Sequence, residues 1–506
     1  MTIFFSGHTF KYELEGIVKL FFPVVRFQHQ YENIRFDEKD AIITRMKVGK
    51  TKTYFWVFVN MNGQIAHLSK SIENNIDDYK NECERWLCLL LFKLLQQVTG
   101  MTPRWGILTG IRPVATVQKM RRMGMADEEI KAYLKEKYLV TDSKLNLAFL
   151  TADTQAPLLK QMNDKSYSLY VSIPFCPSRC SYCSFVSHAI NTPKSMEKVD
   201  EYVRLLCDEI AYTSKVAEEL KLELETIYIG GGTPTALSAS QLKQVTDAIA
   251  LHFDVSSSKE YTIEAGRADT ITREKLQVIK DAGATRISVN PQTFCDNVLE
   301  AIGRKHTASQ VVESYLLAKE IGFESINMDF IAGLPTDTLE GFQASINQAI
   351  SLAPTNITVH TLAIKRSSDL FSELPQMEAD VTLAMTEYAQ AKLIEAGYQP
   401  YYLYRQKNTI GNLENVGYSK RGYESLYNIY IMDEIQTILA CGAGATTKLV
   451  RANKQALSSL CDTHQNGMKP IERIFNYKYH FEYINQFDEI LRRKAEVKTF
   501  YETFIF

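Results

Sequence analysis

The segment SLYVSIPFCPSRCSYCSF, residues 168–185, joins an aliphatic, β-branched run to three cysteines at the spacing C-x-x-x-C-x-x-C. Residues 169–173 predict a strand, so Cys176, Cys180 and Cys183 fall on one loop at its C-terminal end, the edge at which βα folds carry their chemistry. Three clustered thiolates suit a soft or borderline metal centre, an iron–sulfur cluster or zinc, yet no fourth cysteine or nearby histidine stands at a familiar zinc spacing. An iron left without a protein ligand is open to substrate. The structural alternative is a zinc knuckle that borrows a remote fourth ligand such as His188.

Outward from this loop the same rhythm repeats. Short β-branched runs at 169–173, 226–229, 261–264, 286–289, 325–330 and 356–361 alternate with helix-length amphipathic segments, the βα repeat of a parallel sheet. Six strands are fewer than the eight of a closed barrel, so an α/β core over residues 166–370 is a partial (β/α)6 barrel or a doubly wound sheet. The second strand runs into Gly230-Gly231-Gly232-Thr233-Pro234-Thr235, where missing Cβ atoms let the backbone approach a ligand. A glycine triplet alone is more often a tight turn, and its place beside the cysteine loop gives it weight. The next strands end in Glu264, Asn290-Pro291-Gln292 and Asp329, with Arg304 beyond Gln292. Their plain alternative is capping of the following helices.

The flanks read differently. Residues 1–150 look α+β, with alternating segments at 12–20 and 41–61, a long helical pattern at 76–98 and a second after Trp105. A polar stretch at 141–165 reads as an inter-domain connection around a short helix. Beyond Asp369 come a helix at 381–396, an aromatic strand at 401–404, the run ILACGAGATTK and a helical, aromatic tail from Ile471, read as a mostly helical capping domain over 371–506.

The 506 residues are 45% hydrophobic and 23% charged, so a packed core is available and disorder is excluded. Lys plus Arg is 57 against 59 Asp plus Glu, so nucleic acid is not the default partner and any such contact needs a local basic patch. Lys11, Glu13, Glu15 and Lys19 interrupt any secretory core, and Lys93 breaks the longest apolar window, so a cytoplasmic protein without a membrane span is expected. Nine cysteines without an export signal argue against a disulfide framework. Cys83, Cys88, Cys207, Cys295, Cys441 and Cys461 read mainly as small core residues. The helix with Arg112, Lys119, Arg121 and Arg122 reads as a solvated face.

The strings YVSIPFCPSRCSYCSF, GGGTPT, TIEAGR, RISVNPQTF and INMDFIAGLP, in that order, resemble the radical S-adenosylmethionine (SAM) enzymes of the oxygen-independent coproporphyrinogen III oxidase family over about residues 166–450. NITVHTLAIKRSS, YYLYRQKNTIGNLENVGY and WGILTGIRP are most similar to its coproporphyrinogen dehydrogenase (HemZ) branch, which also carries a long N-terminal domain. The resemblance implies a radical SAM partial (β/α)6 barrel. Cys176, Cys180 and Cys183 would hold a 4Fe-4S cluster, and Tyr170, Gly231 and Glu264 would surround one SAM molecule. Tyr182, Gly232, Thr233, Gln292, Arg304, Asp329 and Ala363 match positions that contact a second. The implied reaction takes a hydrogen atom from a coproporphyrinogen III propionate with a 5′-deoxyadenosyl radical and releases carbon dioxide to leave vinyl, giving protoporphyrinogen IX. It requires a low-potential donor of flavodoxin or ferredoxin type, cations for the propionates (Arg112, Lys365, Arg366 and Arg405 are candidates) and a cap that Gly417-Tyr418 helps to form. An open iron implies sensitivity to oxygen.

The match departs at Ser172 and at Ser184-Phe185, where the best-known oxidases carry His and Gly-Cys. CSFVSHA resembles the related haem chaperones instead, which makes His188 a candidate haem ligand. A haem chaperone and a radical SAM methyltransferase of anaerobic haem breakdown are therefore the alternatives to the oxidase.

Overall fold

The computed structural model describes residues 1–506 apart from 24, 32–34, 37, 62, 111, 161–162, 164, 184, 186, 191–192, 364–378, 407–408, 452–470 and 505–506. Ser184, Lys365, Arg366, Asp369 and Cys461, and the expected boundary at 370/371, lie outside the described residues.

Strands β1 (Thr2–Ser6), β2 (Gln28–Gln30), β3 (Ala41–Val48), β4 (Lys52–Met61) and β5 (Gln64–Glu73) form a sheet in the order β2-β1-β3-β4-β5. Helices α1 (Lys11–Phe21) and α2 (Tyr79–Thr99) share a core with one face of it, in which Ile42, Phe55 and Val57 join Leu14, Val18, Leu87 and Leu91. The alternation expected across 12–20 is thus a helix. The short run Tyr12 to Glu15 fits either period, but Leu14, Ile17, Val18 and Phe21 are buried at a spacing of three and four.

Helices α3 (Pro113–Arg122), α4 (Asp127–Tyr138) and α5 (Asp142–Leu159) follow. The polar stretch expected to be a connection is mostly α5, and it is packed rather than loose. Leu145, Ala148 and Ala152 are buried in the main core, and Gln155 Nε2 donates to the Tyr401 carbonyl at 3.1 Å. Lys144, fully buried, meets Glu414 Oε1 at 2.5 Å, and Trp105 Nε1 donates to Glu414 Oε2 at 2.7 Å.

The core then runs β6 (Ser166–Ile173), β7 (Phe175–Cys176), β8 (His188–Ala189), α6 (Pro193–Glu219), β9 (Glu223–Gly231), α7 (Ala239–His252), β10 (Glu260–Gly266), α8 (Arg273–Asp281), β11 (Arg286–Val289), α9 (Asp296–Ala301), α10 (Ala308–Ile321), β12 (Ser325–Ala332), α11 (Leu339–Leu352) and β13 (Asn356–Thr361). β6 and β9 to β13 lie parallel and side by side in chain order, so all six expected strands are present. A doubly wound sheet reverses its strand order; this one does not, which selects the partial barrel.

The C-terminal segment holds α12 (Ala379–Glu395), β14 (Gln399–Arg405), β15 (Glu414–Ser419), α13 (Leu426–Asp433), β16 (Thr437–Cys441), β17 (Thr446–Val450), β18 (Ile471–Phe475), α14 (His480–Asn485), α15 (Phe487–Lys494) and α16 (Glu496–Phe504). It is rich in helix as expected, but its strands join the barrel sheet instead of stacking on it. β15 pairs antiparallel with β13, and β16 pairs parallel with β6, so both open edges gain partners. The tail from Ile471 starts as a strand for the same reason. No helix among the described residues is long and apolar enough to cross a membrane.

Candidate active site

Short backbone bonds hold the three thiols on one loop. His188 N donates to the Pro174 carbonyl at 2.8 Å, Ile190 N to Cys176 O at 3.0 Å and Cys183 N to Cys180 O at 3.0 Å. Cys180 is buried, and its sulfur accepts from Arg267 Nη1 at 3.6 Å. Arg267 is itself fixed by Asp269 at 2.7 Å. Burial pushes the Cys183 thiol up, so an apo loop holds it protonated. Among the described residues no group of three His, Cys, Asp or Glu side chains converges on a single-ion site. His188 packs on His480, ring centroids 4.3 Å apart.

Beside the loop, Gly231 takes φ +108°, and a Cβ there would stand 3.0 Å from Ser172 Oγ, so the turn requires glycine. Thr233 N donates to Phe175 O at 2.8 Å and its hydroxyl lies 3.4 Å from Cys176 Sγ. The glycine strip and the cysteine loop are thereby one unit.

A cavity of about 470 Å³ opens over them inside the barrel. Tyr170, Tyr182, Gly231, Gly232, Glu264 and Gln292 line it, as do Asp329, Ala363, Cys176 and Cys183. Cys180, Thr233 and Arg304 stand just behind. Arg304 Nη2 donates to the Tyr182 hydroxyl at 2.9 Å, while its Nε is buried without a partner. Gln292, at φ +69°, is a strained non-glycine residue held by bonds from its own N–H to Asp329 O (2.9 Å) and from Ile331 N to its carbonyl (3.1 Å).

Glu264 and Asp329 are not helix caps. The helices after their strands start on Thr272, which accepts from Lys275 N, and on Thr338, which accepts from Gly341 N. Burial pushes the Glu264 carboxyl up to about 7, and the Asp329 charge adds to this, against the hydrogen bond donated by the Tyr228 hydroxyl. Asp329 Oδ1 accepts from Asn327 Nδ2 at 2.8 Å, and His360 Nε2 lies 3.9 Å away.

Several lining residues have no role assigned to them by the sequence. Tyr228, Ser288, Asn327 and His360 alternate along barrel strands, and a reading of buried strands for inward polar residues at a period of two finds them. Tyr402, Tyr404, Asn415 and Tyr427 come from the C-terminal segment, where no spacing points to them. Tyr228 and Tyr427 stack at 4.3 Å, with Tyr170 6.2 Å from Tyr427. Gly417 makes room for the wall, since a Cβ there would come within 1.9 Å of the Tyr402 ring.

Three lining residues are almost fully buried and hold polar atoms without hydrogen-bond partners among the described residues: Ser288 Oγ, Asn415 Nδ2 and the Tyr427 hydroxyl. Such atoms cost stability unless a ligand satisfies them, so the cavity suits a polar occupant. Two candidate cations are committed elsewhere. Arg112 pairs with Glu434 at 2.8 Å, and Arg405 donates to the Leu108 and Gly110 carbonyls beneath Trp105. Neither lines the cavity.

The radical SAM superfamily pattern matches residues 170–349. The oxygen-independent coproporphyrinogen-III oxidase-like protein HemZ of Bacillus subtilis is 42% identical over 364 residues, 71% of this chain and 72% of that protein. Heme chaperone HemW of Bacillus subtilis is 36% identical over 286 residues, 55% of this chain and 70% of that one. Among solved structures, the Escherichia coli coproporphyrinogen III oxidase HemN superposes with a TM-score of 0.49 at 22% identity, covering 67% of this chain and 72% of that one. The superfamily uses a 4Fe-4S cluster and SAM, and the thiol loop beside a polar cavity fits both. The chain belongs to the radical SAM family that includes the coproporphyrinogen-III oxidase-like HemZ and the heme chaperone HemW.

Proposed function

We propose that the protein decarboxylates propionate side chains of coproporphyrinogen III to vinyl groups without oxygen, each losing a hydrogen atom, carbon dioxide and one electron that a separate one-electron acceptor takes, giving protoporphyrinogen IX. The observation that carries this reading is the cavity itself, lined by Cys176 and Cys183 of the thiol loop, by buried polar atoms with no partner among the described residues and by a wall of flat tyrosines suited to a macrocycle. Cluster and SAM, when bound and fed an electron by a flavodoxin- or ferredoxin-type donor, supply a radical able to take a hydrogen atom from a propionate.

The chain's own residues position and shield. Cys176, Cys180 and Cys183 would hold the cluster, with Arg267 donating to the Cys180 sulfur. Tyr170, Gly231 and Glu264 would hold one SAM molecule, Glu264 as a carboxylate accepting from its donors. Tyr182, Gly232, Thr233, Gln292, Arg304, Asp329 and Ala363 would contact a second. Tyr402, Tyr404 and Met432 close the cavity towards the C-terminal segment, excluding water and stray hydrogen donors. Lys365 and Arg366, two and three residues beyond Ala363 on the chain, are the remaining candidates for the propionates.

The test is an anaerobic assay of the iron–sulfur-reconstituted protein with SAM, a low-potential reductant and coproporphyrinogen III. Sequential loss of two carbon dioxide units with 5′-deoxyadenosine, absent in Cys180→Ser, supports the decarboxylase. 5′-Deoxyadenosine without porphyrin product overturns the substrate. A haem-transfer role is the second reading, favoured by His188 and His480, whose Nε2 and Nδ1 are buried without partners beside the thiol loop. Haem binding lost in His188→Ala would support it.

A further inference from the structure

The outer face of the N-terminal sheet, opposite α1 and α2, carries a stacked pair of exposed aromatic rings. On β4 the inward residues Phe55, Val57 and Val59 are completely buried, whereas Tyr54 and Trp56 between them are 41% and 40% exposed. Their rings lie parallel, 6.0 Å apart at 19°. The fold gains little from them there. Cross-strand register puts Arg45 beside Trp56 and Lys47 beside Tyr54 on one side, Ser69 and Ser71 on the other, and His67 beside Phe58. The Arg45 guanidinium sits 5.9 Å over the Trp56 ring.

On this face β3 to β5 carry Arg45, Lys47 and Lys52 against a single acidic residue, Glu73, while Lys70, paired with the inward Phe55, lies over the Trp86 ring on the helix side. Glu73 is neutralised by Lys52 at 3.0 Å. A chain of net charge −2 thus sets the cations Arg45 and Lys47 beside two stacked, partly exposed aromatics. Parallel exposed rings with cations at their edges offer bases a stacking surface and phosphates a counter-charge. Duplexes hide base faces, so the partner is single-stranded. Ser69, Ser71 and His67, level with the rings, offer hydrogen bonds to a ribose 2′-hydroxyl.

We propose that this face binds single-stranded RNA. The site is separate from the barrel cavity, and its occupancy does not rest on the proposed decarboxylation.

The test is fluorescence anisotropy of the full-length protein with a labelled, unstructured RNA of about 12 nucleotides, within the span of one such platform. Expected are saturable binding, quenching of tryptophan emission and a loss of about tenfold or more in Trp56→Ala, the effect of removing one stacked base. Two phosphate contacts, to Arg45 and Lys47, weaken binding by about fivefold as salt triples. Arg45→Glu, which leaves the rings in place, must also weaken it, with unchanged thermal melting in both variants. No binding at low salt, undiminished binding in Trp56→Ala, equal or tighter binding of the same-sequence DNA or duplex, or concentration-dependent dimerisation through this face overturns the proposal. SAM cleavage by the reconstituted Trp56→Ala protein stays at the parent rate.

Discussion

In the N-terminal sheet the residues that alternate with the core, Arg45, Lys47, Tyr54 and Trp56, face solvent; in the barrel the corresponding residues, Tyr228, Glu264, Ser288 and Asp329, face a cavity. Both obey the strand period of two. The difference comes from the connections. Crossover helices cover the outside of the parallel barrel, so its strands are enclosed on both sides and inward polar groups must find a partner. Some do, as Asp329 does with Asn327, and Ser288 Oγ, Asn415 Nδ2 and the Tyr427 hydroxyl find none among the described residues. Antiparallel β3, β4 and β5 carry helices on one side, and polar groups on the other are satisfied by water. An unpaired polar atom therefore marks a ligand site in the barrel, while in the N-terminal sheet the marker is an exposed aromatic pair.

The strongest way to separate the two regions is Cys180→Ser. Cluster absorbance and 5′-deoxyadenosine formation should disappear, while circular dichroism melting and RNA binding stay unchanged. A variant that loses all four properties would mean the thiol loop holds up the fold.

The next effect concerns the joint between the regions. Glu414 is fully enclosed, contacted by Lys144 and Trp105, and burial, which would raise its pKa, is outweighed by the Lys144 charge, leaving it lowered. Lys144→Ala strands a buried carboxylate and should cost about 3–5 kcal/mol in denaturant unfolding. Because the folded pKa is lowered, the pair contributes stability above the unfolded carboxylate range and loses it as pH falls. Lys144→Met with Glu414→Leu should recover most of the loss.

A smaller effect tests the electrostatics of the cavity. Glu264 in the free protein titrates at about 7, so below that pH it carries a proton and offers a donor where SAM needs an acceptor. Competition by one proton scales affinity by 1 + 10^(7 − pH), so SAM should bind roughly tenfold more tightly at pH 8 than at pH 6. Calorimetry in two buffers should show proton release at pH 6. Glu264→Gln should flatten the dependence, and a flat profile in the parent protein would remove Glu264 from the site. The sign for folding is opposite: a raised carboxyl pKa favours the apo fold at low pH, and that contribution is lost as pH rises through about 7.

The barrel strands were legible because enclosed parallel strands read as dense β-branched runs, and the three cysteines because their spacing has few other uses. The C-terminal strands were not, because their pairing is distant in sequence: Thr437 lies beside Tyr167, and Gly417 beside Thr358. Helix α5 read as a linker because its polar residues looked solvated, whereas Lys144 and Gln155 bond across to Glu414 and Tyr401. His360 and Asn415 acquire meaning only when folding brings β13 and β15 together. A residue's chemistry is local, but its partner is not.

The smallest expected effect sharpens the comparison most. Removing both rings in Tyr54→Ala/Trp56→Ala should change stability by no more than about 0.5 kcal/mol per site, the ordinary range for exposed positions. Tyr402→Ala, on the same strand period but buried against Gly417, should cost about 3–5 kcal/mol. If the rings of β4 prove as costly as Tyr402, they hold the sheet together and their exposure carries no partner. If they are neutral to folding and required for RNA, the fold has kept two large aromatic side chains in water for something other than itself.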